Sequence, residues 1–319
     1  MKNTLYIISI LFVVLTACEK ELKINTTKEE NKIVINSIIN TDSVFTAEVT
    51  KTFSPYNNIN VEELKDAEVT VFENDIFIEK LTYNKFSYDS LGKFRGTFIP
   101  QLNKQYKIEV TTQNSDLAQA KTSIPEKVTI SNTQAIEVKW GEDNLTSRRF
   151  NFSFTLNDME GEDYYYLIIA FPVFKIDTIN HDTSFLEFQY CEIETGDLPQ
   201  SQLYLRNGLV FNDKAFNTTN HIVSGSATTY ADAFSENTNY YSWDEREKVY
   251  YVNFNKIYIY LQHLNKELYQ FYSSHAKMLK NQDDLYSEPV PVYSNIENGY
   301  GIFAGENTTL EKVNVELLE

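Results

Sequence analysis

Glycine is scarce in this chain: ten in 319 residues leave little material for a phosphate-cradling loop. No Gly-x-Ser-x-Gly elbow or dinucleotide fingerprint occurs, and no catalytic residues are assigned. The four histidines, His181, His221, His263 and His275, show neither His-x-His nor His-x-x-x-His spacing. No metal and no cofactor is therefore expected, and each histidine is read as a solvated or packing residue. Positive charge is also short, with 28 Lys and Arg against 45 Asp and Glu and a net charge of −17. Such an acidic surface repels phosphate backbones and anionic headgroups, which argues against nucleic acid as a partner. Beyond the N-terminus no apolar run approaches the roughly 20 residues of a membrane-spanning helix. The body is expected to be soluble.

The N-terminus carries the most specific signal. Lys2 precedes an almost unbroken apolar run from Leu5 to Leu15, too short for a permanent span. Leu15-Thr16-Ala17-Cys18 follows, with small residues where a signal peptidase admits an extended chain. Residues 1–17 are read as a lipoprotein signal peptide and Cys18 as the acylated residue of the mature protein. The competing reading is an ordinary secretory signal with an incidental cysteine. One acyl chain anchors only marginally, so stable attachment calls for several on Cys18. That leaves Cys191 without an intramolecular partner, and a buried, inert thiol is expected.

Residues 18–31 are polar and lack periodicity, as in a flexible tether. From Ile33 a two-residue period takes over: Phe45, Ala47 and Val49, then Tyr106, Ile108 and Val110, alternate with polar neighbours. About seven strands fall in 32–125, near 33–39, 44–51, 67–73, 76–83, 93–99, 105–111 and 120–124, which predicts an immunoglobulin-like β-sandwich. Pro125-Glu126 is read as a hinge. Residues 126–319 are read as a larger β-rich domain. Phe150, Phe152, Phe154 and Leu156 share one face, and Tyr164 to Phe171 is apolar on both, as in a central strand. A long strand is expected through Asn253 to Leu261, and 142–148, 176–184, 195–202 and 212–248 read as loops. Leu264, Leu268, Phe271, His275 and Met278 then follow helical spacing, which predicts one amphipathic helix at 265–281 capped by Asn265. The fold class expected is mainly β.

Three features compete for a functional role. The cluster Asp158-Met159-Glu160-Gly161-Glu162-Asp163 alternates carboxylates as a calcium loop does, but lacks the distal glutamate, so a solvated acidic turn is favoured. Tyr240, Tyr241 and Trp243 lie in a segment read as loop and form a candidate ligand surface; tyrosine's preference for strands offers a packing role instead. The segment 287–305 holds two prolines and three glycines, with a positive-φ turn expected at Asn298-Gly299. It reads either as a crossover closing the sandwich or as a ligand-contacting loop. Apolar Val290, Val292, Ile296, Ile302 and Phe303, expected to be buried, favour the first.

That last segment, Glu288-Pro289-Val290 through Tyr293-Ser294-Asn295-Ile296-Glu297-Asn298-Gly299-Tyr300-Gly301-Ile302-Phe303-Ala304-Gly305, resembles the C-terminal signature of the Bacteroidetes lipoprotein family known as domain of unknown function 4249. The early Lys32-to-Ile39 strand, Asp66-Ala67-Glu68-Val69-Thr70-Val71 and Phe211-Asn212-Asp213-Lys214 resemble further family elements. The resemblance implies an envelope lipoprotein, often encoded beside a TonB-dependent outer-membrane transporter, with no established catalytic residues. It also implies a surface-export signal after the lipidated cysteine. Glu19 and Glu21 match that signal in part, with Lys20 between them, which leaves cell surface and periplasmic face both open. Asp42-Ser43-Val44, Asp89-Ser90-Leu91 and Asp177-Thr178-Ile179 are similar to O-glycosylation motifs of such bacteria. The expectation is a non-enzymatic outer-membrane lipoprotein that assists such a transporter by capturing a nutrient ligand of unknown class or by shaping the transporter's outer mouth. The alternatives are a structural or adhesive envelope component and, third, an unrecognised hydrolase.

Overall fold

A computed structural model describes residues 32–52, 61–87, 89–113, 115–138, 147–157, 161–177, 183–196, 198, 203–205, 207–214, 216, 220–230, 240–244, 248–252, 255–282 and 287–317. The signal peptide, Cys18 and the tether to residue 31 lie outside the described residues. Among those described, the chain is mainly β with one helix.

The first strands are β1 (Ile33–Ile39), β2 (Thr46–Lys51), β3 (Glu62–Glu63), β4 (Glu68–Glu73), β5 (Ile76–Lys80), β6 (Thr82–Asn84), β7 (Lys93–Arg95), β8 (Gln105–Thr112) and β9 (Ser115–Ser123). The β4–β5 turn at Asn74 and Asp75 takes positive φ at both residues, 50° and 63°, as a two-residue hairpin requires. Strands β5-β4-β8-β9 form one sheet, while β1 pairs antiparallel with β2, which also pairs with β3 and β7. Alternation turns Ile33, Ile35, Ala47 and Val49 toward Val69, Val71, Ile108 and Val110 in a shared buried core.

The remaining elements are β10 (Thr129–Val138), β11 (Ser147–Asn157), β12 (Tyr164–Asp177), β13 (Thr183–Tyr190), β14 (Glu192–Glu194), β15 (Leu203–Leu205), β16 (Gly208–Asn212), β17 (His221–Tyr230), β18 (Tyr240–Asp244), β19 (Lys248–Val252), β20 (Lys256–Leu264), helix α1 (Lys266–Asn281) and β21 (Tyr300–Leu317). One layer runs β10-β11-β17-β14 through antiparallel pairs. The other centres on β12, with β13 and β16 on one edge and β19 and β20 on the other. Phe150, Phe152 and Phe154 of β11 meet Tyr165, Leu167 and Ile169 of β12 in the core between the layers. Strand β12 is thus central, as its two apolar faces predict.

Helix α1 begins where expected. The Asn265 side chain accepts from the Leu268 amide at 3.1 Å, with Glu267 in the first turn and Lys280 in the last. The helix covers part of the outer face of β12, where Tyr269 stacks on Tyr164 and Tyr272 packs against Tyr166.

Strand β21 joins everything. Its first residues run parallel to β1, from Val34 opposite Tyr300 to Ile39 opposite Gly305. It then runs antiparallel to β20 and finishes parallel to β10. The segment before it is therefore a closing crossover. Asn295 is bonded to the Phe303 backbone, and Glu297 bridges Gln119. A Cβ at Gly301, whose φ is +104°, would stand 2.1 Å from the Ile35 carbonyl, so this approach needs glycine. Ile296, Ile302 and Phe303 are buried as expected. Val292 is exposed and Val290 only half-buried, because the polypeptide before Tyr293 runs along the surface.

The Pro125-Glu126 hinge is a correction. Asn265 donates to Thr122 Oγ1 and the Ser123 carbonyl, Asn307 donates to the Pro125 carbonyl at 2.6 Å, and the Thr309 hydroxyl donates to the Val128 carbonyl. With these acceptors held by the α1 cap Asn265 and by β21, the connection is clamped. Segment 212–248 is a second correction: β17 and β18 lie in it. Strand β17 was hidden because Gly225 and Ala227 fall on its inward face and hydroxyl residues on the other, which flattens the hydrophobic alternation. Strand β9 likewise starts at Ser115, before the expected residue 120, and β20 starts at Lys256, past Asn253.

Candidate functional site

With Phe150, Phe152 and Phe154 turned inward, strand geometry puts Arg149, Asn151 and Ser153 on the outer face of β11. The register brings them beside matching residues on three other strands. Ile136, Asn151, Ser226 and Glu194 form one row across β10, β11, β17 and β14. Gln134, Ser153 and Ser224 form the next. Together they line a groove of about 580 Å³. Arg149 Nη2 donates to Glu194 Oε2 at 2.7 Å and to Ser226 Oγ at 2.6 Å. Thr195 Oγ1 donates to the Ser224 carbonyl at 2.6 Å and pins the turn after β14 against β17. That turn can lie so close because residue 225 is glycine: a Cβ there would come within 2.3 Å of the Glu194 carbonyl. Gly196, on the wall, has nothing within 4 Å of its Cβ position. The groove offers hydroxyls, amides and one internally neutralised ion pair on a rigid sheet.

The described residues singled out from sequence lie elsewhere. Cys18 falls outside the described residues. Tyr240, Tyr241 and Trp243 lie on β18, paired with β19, and not in a loop. They belong to the layer opposite the groove. That layer carries an aromatic face that spacing alone did not flag as a site: Phe188 stands 5.4 Å from Tyr258, 5.6 Å from Tyr260 and 4.8 Å from Phe185. Phe185 and Tyr190 are exposed. Burial together with Tyr190 and Tyr258 pushes the Tyr260 phenol up to about 12. The signal was present in the alternation of Tyr258 and Tyr260 with Ile257, Ile259 and Leu261.

In the acidic cluster, residues 158–160 lie outside the described residues. Glu162 pairs with Lys214 at 3.0 Å, which holds its carboxyl below the usual range. Asp163 lies 3.1 Å from His263 Nε2, and its amide donates to Asp213 Oδ1. Among the described residues no group of three or more His, Cys, Asp or Glu is placed to hold a metal ion. His263 is buried, with Nδ1 2.6 Å from the Glu126 carbonyl, so it joins the clamp on the connection between the two cores. His181 lies outside the described residues, and His221 stacks on Phe216 with centroids 3.7 Å apart. Cys191 is buried, and burial pushes its thiol up, which disfavours the reactive thiolate. Among the described residues no helix is long and apolar enough to cross a membrane.

A family model described as "Domain of unknown function (DUF4249)" matches residues 19–312. Comparison with the curated proteins returns no match.

Proposed function

The chain belongs to the DUF4249 family, and from that premise we propose that it is a non-enzymatic outer-membrane lipoprotein that captures a substrate for a TonB-dependent transporter. The observation that carries the capture half is the groove: polar groups from four strands converge on one concave surface that rigid sheet registers hold in place. The location half rests on the Leu15-to-Cys18 processing site, with residues 19–31 as tether. The scaffold suits capture better than chemistry, because the Glu194 carboxylate in the groove is engaged by Arg149. Affinity purification of the tagged, lipidated protein from its native membrane tests this reading. A TonB-dependent transporter should co-purify in stoichiometric amount, and its repeated absence would sink the idea.

A second reading, an adhesive or structural envelope component, draws on the exposed aromatic face around Phe185 and Tyr190. Under it, substitutions on that face would abolish the cellular phenotype while groove substitutions would not.

A further inference from the structure

We infer that the groove takes a neutral, polyhydroxylated ligand of the oligosaccharide class; this rests on the capture reading of that site. Charge comes first. Among the described residues, the ion pair lining the groove, Arg149 with Glu194, is closed at 2.7 Å, so these two side chains present no net charge to an ionic ligand. An anion would have to displace Glu194 and approach a chain of net charge −17. A cation would have to displace Arg149.

Hydrogen-bonding capacity points the same way. Gln134, Asn151 and Ser153 each bring both a donor and an acceptor, and they stand on two adjacent strands. A sugar hydroxyl also donates and accepts, so it can be satisfied at any of these positions, whereas carboxylates, phosphates and ammonium groups use one sense only. Strands lie about 4.8 Å apart and alternate residues about 6.6 Å apart, which spreads the polar groups into a grid rather than a single point. A grid suits a ligand that repeats hydroxyls along its length. Ile136 and Phe152 are the apolar side chains of the lining, the latter almost fully covered. The groove, of about 580 Å³, is shallow and largely open to solvent, which lets a chain-like ligand continue outward.

The test uses the full-length lipidated protein in detergent, screened against an array of neutral oligosaccharides, with trialanine and citrate as peptide and anion probes. At least one neutral glycan should bind and raise the melting temperature. Gly196→Trp should abolish that binding with no change in the melting temperature of the unliganded protein, because its Cβ position is open and the indole would fill the groove. Asn151→Ala should weaken binding about tenfold, the loss of one hydrogen bond to the ligand. Three results would each overturn the inference: no glycan binding, glycan binding that survives Gly196→Trp, or Gly196-dependent binding of trialanine or citrate instead. None of these bears on whether a transporter co-purifies, so the two proposals can fail separately.

Discussion

Asn295 holds Phe303 as a neighbouring strand would: its amide nitrogen donates to the Phe303 carbonyl at 2.7 Å, and its oxygen accepts from the Phe303 amide at 3.0 Å. Phe303 is fully buried in the first core. Replacing Asn295 by Ala would leave two backbone groups there without partners, at about 1–3 kcal/mol each for buried unsatisfied groups. Asn295→Ala should therefore destabilise the protein by about 3 kcal/mol in urea unfolding, and Asn295→Asp, which sets a carboxylate oxygen against the Phe303 carbonyl, by at least as much. A loss under about 0.5 kcal/mol for the alanine variant would refute this role.

Glu63 should shape the acid limb of stability. Lys85 and Tyr83 donate to its carboxylate, which holds its pKa down to about 2, and the same contact raises the Tyr83 phenol to about 12. A carboxylate depressed in the folded state stabilises above its unfolded pKa and loses that contribution as pH falls toward the folded one. Glu63→Gln should cost about 1 kcal/mol at pH 7, given solvent screening of the pair. The gap to the unsubstituted protein should close between about pH 4.5 and pH 2, read from denaturation midpoints.

Glu306 predicts the opposite sign. Burial raises its carboxyl pKa despite hydrogen bonds from Asn40 and Thr308. Its favourable contribution is complete below the unfolded carboxylate pKa and is lost as pH rises through the raised folded value. Glu306→Gln keeps a carbonyl acceptor and removes the buried charge. The variant should melt about 2 °C higher at pH 7, with no advantage at pH 3. Equal melting at pH 7 would count against a charge-burial cost at this position.

Cys18→Ser should move the protein from the membrane fraction to the soluble fraction with an unchanged circular dichroism spectrum and melting temperature. Loss of folding on that substitution would mean that Cys18 has a structural role.

Much of the fold was legible in the residues themselves. The alternation in Ile33 to Ile39 places β1 at the observed bounds, and Asn265 followed by helical spacing places α1. The groove was not legible. Arg149 and Glu194 lie 45 residues apart, and Ser226 joins them only because β11, β17 and β14 pair in one particular register. No local pattern encodes that register, and the serine-rich stretch on β17 reads as loop by composition. The clamp on Pro125 and Glu126 was hidden for the same reason: Asn307 and His263 arrive from the far end of the chain. Proline beside polar residues looks like a hinge until something binds its carbonyls.

The sequence by itself determined which faces would be buried and where the helix would start. Periods of two and of 3.6 follow from the covalent backbone, and each is a property of neighbouring residues. Only the tertiary structure decided that β21 would close both cores, and that a polar groove would form on the outer face of β10, β11, β17 and β14. A strand's partner depends on every loop that must close to bring it there, and that is a property of the whole chain.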